Sequence, residues 1–172
     1  MEADKVEKNK LKINSPKIGI YFNIVAILSF IIALSFILIN WSTLPDKVPS
    51  HYNLAGEPDK WSDRWFVFVP LMIGIFLWFS LQIVETRPHL HNYSGLTEKN
   101  REVLFKNSML LMNFIKNEML IYFSFSAIND IYVAKGKGSI VGPWDLLIFS
   151  VMIIGTIIIF VVRSVRLKKE VS

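Results

Sequence analysis

A length of 172 residues, a hydrophobic share of 52% and a mean hydropathy of +0.42 give this chain a membrane composition, in which lipid replaces the soluble core. Cysteine is absent, which excludes disulfides, thiolate metal sites and a cysteine nucleophile. The formal net charge of +5 comes from lysines and arginines that flank apolar runs and form no patch interleaved with aromatics, so it argues for membrane topology and against nucleic-acid binding.

Residues 1–17 hold five lysines and three acids with few apolar residues, and the pattern predicts a solvated basic tail. From Ile18 to Trp41 there is no charge at all. At about 1.5 Å per residue this run crosses a hydrocarbon layer of about 30 Å, and it predicts a first span over 18–41. It is longer than the core of a secretory signal, and no small-x-small cleavage site follows, so it reads as an uncleaved anchor. A polar loop, 42–64, comes next. Its core, Leu44 to Trp65, holds three prolines, one glycine, one histidine, four acids and three bases. A second uncharged run predicts a span over 65–84, with Pro70 near its start.

Residues 85–113 read as a loop in which Thr97 caps the helix that follows, with Glu98 and Glu102 at its positive end. His89 and His91, two residues apart, read as solvated interfacial side chains. The third span, 114–134, is the polar one. Asn113, Lys116, Asn117, Glu118, Asn129 and Asp130 all fall in or beside it. A charge at the bilayer centre costs about 2.5 to 3.5 kcal/mol on insertion scales, which predicts that Lys116 and Glu118 snorkel to one interface and that Asp130 lies near the other. Polar residues within a membrane are also candidates for a path or for interhelical hydrogen bonds. A Gly-rich turn leads into a fourth span, 144–162, which begins with Asp145, and residues 163–172 form a basic tail.

Thirteen lysines and arginines fall on the side of the two tails and of loop 85–113, and five on the other side. The positive-inside rule therefore predicts cytoplasmic termini and an extracellular 42–64 loop, with Trp41, Trp65 and Trp144 at the outer interface. The expected fold is an all-α integral membrane protein of four transmembrane helices in two hairpins, the third helix extended into the cytoplasm.

Within the loop, Pro45 and Pro49 force extended backbone before them, Gly56 is free to take positive φ, and Asn53 can bond its own backbone nearby. These residues predict a shaped cap over the helix ends. His51 is the sharper candidate, since with Asp46, Glu57, Asp59 or Asp63 it could ligate zinc or titrate. One histidine among scattered carboxylates is a weak metal signal, and no nucleophile motif such as G-x-S-x-G accompanies it. No cofactor is expected.

The string LPDKVPSHYNLAGEPDKW resembles the DUF1648 family of small bacterial membrane proteins through Leu44, Pro45, Pro49, His51, Tyr52, Asn53, Gly56, Asp59 and Trp61. The later stretch HNYSGLTEKNREVLF is similar to the cytoplasmic loop of many such proteins. The same module opens the Sdp-toxin immunity proteins, which are longer and carry further spans. What the resemblance implies is a multi-pass protein of the cell membrane whose loop serves immunity or signalling. The expectation is a non-enzymatic protein in the lipid bilayer, with loop 44–65 binding a peptide toxin or another membrane protein through Pro49, His51, Tyr52, Asn53, Gly56 and Asp59. A metal-binding protein or membrane enzyme built on His51, and an accessory subunit of a transporter, are the competing expectations.

Overall fold

The computed structural model describes residues 16–171, so the predicted basic tail lies almost wholly outside the described residues. Four long helices dominate: α1 (Lys17–Asn40), α2 (Val69–Glu85), α3 (Arg101–Ala134) and α4 (Asp145–Glu170). Short 3-10 turns lead out of α1 and into α2 and α4. With those turns, Lys17–Thr43, Arg64–Glu85 and Gly142–Glu170 are long and apolar enough to cross a membrane.

The helix α3 is built differently. Sixteen of its 34 residues are buried, against four in α1, three in α2 and two in α4. It packs against all three of the others. The apolar helices thus form a sheath, and the polar residues of α3 turn inward to meet partners on them. The helix α1 meets α3 through Gly19, Ala26 and Ala33, small residues at seven-residue spacing that let two backbones approach. Gly74 does the same for α2, since a Cβ there would lie 2.9 Å from the Cβ of Phe123.

The all-helical expectation needs a correction. Residues 42–64 fold as an antiparallel β-hairpin, β1 (Lys47–Tyr52) and β2 (Pro58–Asp63), with Lys47 opposite Asp63 and Tyr52 opposite Pro58. An irregularity between Pro49 and His51 shifts the register by one residue, and a second between His51 and Tyr52 restores it. The hairpin is fastened to the helix ends by a core of Leu44, Val48, Val67 and Leu71 with Ala33, Ile37, Ala127 and Ile131. At the rim Trp41, Trp65 and Phe68 cluster, with ring centroids 4.6 to 6.0 Å apart, and the Arg64 guanidinium stacks on Trp41.

The far end also departs from expectation. Residues 163–170 continue α4 as helix, where a tail was predicted. The Asn107 amide donates to the Phe160 carbonyl at 3.0 Å, and Lys168 packs on Gly95. The last turn carries Lys168 and Lys169, cations that suit a helix C-terminus. Thr97 caps as predicted in kind but one turn early. Its N–H donates to Asn100 Oδ1 while the Asn100 N–H donates to Thr97 Oγ1, and α3 itself starts after Asn100.

Candidate functional site

The tip of the hairpin is a side-chain-locked turn. Asn53 Oδ1 accepts the N–H groups of Ala55 and Glu57 at 2.9 and 3.0 Å, and Gly56 takes φ +73°. Only a residue without Cβ fits there, because an added Cβ would lie 2.8 Å from the Gly142 carbonyl. The tip therefore sits directly on the α3–α4 turn. From β1, Tyr52 reaches down and donates to Asp130 Oδ1 of α3 at 2.7 Å. Burial, and then the Asp130 charge, push the Tyr52 hydroxyl well above its ordinary range, so it stays a donor.

Beneath this roof lies a cavity of about 470 Å³ between the hairpin tip, α3 and the start of α4. Tyr52, Asn53 and Gly56 line it from above, Tyr122, Ser126 and Asn129 from α3, and Asp145, Leu146 and Leu147 from α4. Asn129 is 4% exposed and fixes the wall, its Oδ1 accepting from Ser139 Oγ at 3.1 Å and from the Ile140 N–H at 2.8 Å. The volume and the mixed lining fall in the range of small-ligand sites.

The six loop candidates thus divide. Tyr52, Asn53 and Gly56 come together at the cavity, and Pro49 is buried beneath the hairpin. His51 and Asp59 pair with one another across the strands at 2.5 Å on the exposed face, and neither lines the cavity. That hydrogen bond holds the Asp59 carboxyl below its ordinary value. Asp46 and Asp63 are drawn to Arg64 and Lys47, so the proposed zinc set does not assemble around His51. Among the described residues there is no group of three or more histidines and acids within metal-binding reach.

A second polar assembly fills the seam between α1, α2 and α3. Lys116 Nζ lies 2.5 Å from Glu85 and also donates to Gln82. Asn113 donates to Asn23 at 3.0 Å and to Glu85 at 3.1 Å, while Asn117 donates to Asn23 at 2.8 Å and accepts from Trp78 Nε1 at 2.8 Å. The snorkelling expectation is overturned here. Lys116 has no exposed surface, because Glu85 and Gln82 on α2 supply its partners, and Glu118 is 6% exposed, with Thr156 meeting its Oε1 while Oε2 is buried without a partner. Glu118 faces α4, where Thr156 Oγ1 donates to its Oε1 at 2.6 Å. His91 is not simply solvated either, since its Nε2 bonds the Val84 carbonyl at 2.9 Å.

Tyr122, Ser126 and Ser139 escaped notice in the sequence because isolated hydroxyls in an apolar helix or a turn carry no pattern. Asn23, Gln82 and Glu85 carried a signal, each being a polar residue within or at the end of an apolar run, and each has its partner on α3.

Comparison with curated proteins and comparison with solved structures each found no match. Residues 28–75 match the family model DUF1648, a domain of unknown function, over the C-terminal part of α1, the hairpin and the first turns of α2. These are the residues that carry the Tyr52 arm and the Gly56 tip, and through them the chain is identified as carrying a DUF1648 domain.

Proposed function

We propose that this is a four-span protein of the bacterial cell membrane with cytoplasmic termini, and that its outward hairpin end is a non-catalytic binding surface for a peptide or another membrane protein. The observation that carries the reading is the cavity of about 470 Å³ under a hairpin whose tip, strand and rim are each fixed to the helices. A surface held this firmly is preorganised, so little ordering cost opposes binding. Lysine and arginine distribution supports the orientation. The third crossing is supported by α3 hiding its charges between three apolar helices rather than showing them to lipid.

Because the chain has no cysteine, single cysteines report topology directly. Lys60→Cys should react with a membrane-impermeant maleimide in intact cells, and Ser94→Cys only after permeabilisation. The opposite pattern removes the reading. For binding, deletion of the chain should alter sensitivity to at least one envelope-active peptide. Wild-type protein should restore it and Gly56→Ala should not, because the new Cβ drives the tip off Gly142. Unchanged sensitivity to every such peptide would sink the binding role.

A further inference from the structure

We propose that the cavity receives the ammonium group of a lysine side chain, presented by an apolar segment of a peptide. This deepens the binding reading above and rests on it. Three groups that line the cavity make no side-chain hydrogen bond: the Asp145 carboxylate, the Tyr122 hydroxyl and the Ser126 hydroxyl. The other polar lining groups are already engaged with one another, Asn129 with Ser139 and Ile140, and Ser139 with the Gly142 N–H. What stays open is therefore one anion and two hydroxyls, a set that suits a donor with three N–H bonds and a positive charge.

No basic side chain lines the cavity. The two lysines of the adjoining turn are drawn elsewhere, Lys135 to Asn40 at the end of α1 and Thr43 in the turn after it, and Lys137 over the Tyr132 ring. The carboxylate thus meets no basic side chain in the cavity and is offset by the positive end of α4, whose first residue it is; in this half-buried position an incoming cation gains more than it would in open water. Leu146 and Leu147, 59% and 52% exposed, continue the lining along α4 and suit an alkyl stem and its apolar neighbours.

The same lining selects between two carriers of an ammonium group. A phospholipid amine brings a phosphate with it, and the cavity has an acid where a phosphate would need a base. A lysine brings no anion. Leu54, 96% exposed at the hairpin tip, offers a rim contact for an apolar peptide residue beside it.

The test uses full-length protein in a nonionic detergent and a blocked Leu-Lys-Leu peptide as probe, with binding read by calorimetry. The lysine peptide should bind at least about tenfold more tightly than its Nζ-acetylated form, the loss of charge alone being worth that factor of about 1.4 kcal/mol. Asp145→Asn should weaken binding about tenfold, Tyr122→Phe by a smaller factor, and Asp46→Asn, an exposed acid outside the cavity, not at all. Equal binding of the acetylated peptide, or wild-type affinity in a folded Asp145→Asn protein, overturns the proposal. Where Asp145→Asn fails to fold, unchanged affinity in Tyr122→Phe does so. Binding of phosphatidylethanolamine with no binding of the peptide overturns it in favour of lipid. If Lys60→Cys labels from outside and no peptide binds, only the ligand assignment falls; if it does not label, the outward reading falls whatever the calorimetry gives.

Discussion

Two ion pairs in this molecule have the same reach and opposite surroundings. His51 and Asp59 approach to 2.5 Å on the open face of the hairpin, with side chains 57% and 42% exposed. Lys116 and Glu85 approach to the same 2.5 Å in the seam between α2 and α3, at 0% and 4%. Distance therefore says nothing about their relative weight. Around the first pair water solvates either partner alone, so separating them costs little. Around the second both side chains are closed off from solvent, and each charge depends on the other and on Asn113 and Gln82. The exposed pair can exchange each partner for water, whereas the seam holds the bundle.

The surest way to break this contrast is to remove one partner of the buried pair. Glu85→Leu and Lys116→Leu should each destabilise the folded protein by about 3–5 kcal/mol, because either leaves a buried charge uncompensated. The double variant should lose less than either single one. Tryptophan fluorescence during denaturation in detergent measures this, since Trp78 lies against Lys116, 4.8 Å from Nζ to the ring centre. Single-variant losses no larger than those at an exposed pair would mean that the seam is wet and the contrast false.

The apolar helices were legible from the sequence because lipid selects for uncharged runs, and α1, α2 and α4 follow those runs to within a few residues at most of their ends. The third helix was legible in position but not in role. Its charges were placed by a rule for side chains facing lipid, and they face protein. No local pattern shows that Glu85 and Lys116, 31 residues apart, will meet. The hairpin was hidden for a related reason: Val48 and Leu44 are its only deeply buried aliphatic residues, and two prolines interrupt the alternation that marks a strand. Local chemistry was readable even so. Asn53 and Gly56 form the turn their types suggest, while Tyr52 needed the fold to place Asp130 beside it.

Tyr52→Phe sharpens the contrast, because its bond to Asp130 joins the exposed hairpin to the buried helix. Asp130 is 4% exposed and loses its donor in this variant. The expected cost is about 1–3 kcal/mol, that of a buried acceptor left unsatisfied, and lies between the two ion pairs. The same variant should loosen the hairpin alone, with faster amide exchange over 47–63 and unchanged exchange in the seam. Uniform loosening of the whole bundle would show that hairpin and seam are one cooperative unit.

The smallest effect belongs to the exposed pair and is best read by titration. Asp59 is held below its ordinary carboxyl value of 3.8, first by the hydrogen bond from His51 and then by that residue's charge. A carboxyl whose folded value lies below its unfolded one stabilises the fold above the unfolded value and ceases to do so as pH falls through the folded one. The window therefore lies below the ordinary carboxyl value, far from neutrality. Carbon-13 titration of the Asp59 carboxyl should give a midpoint under 3.8 in the wild-type protein and a return toward 3.8 in His51→Ala. A midpoint indifferent to His51→Ala would place Asp59 with the solvated acids and leave His51 free to act on whatever approaches the outer face.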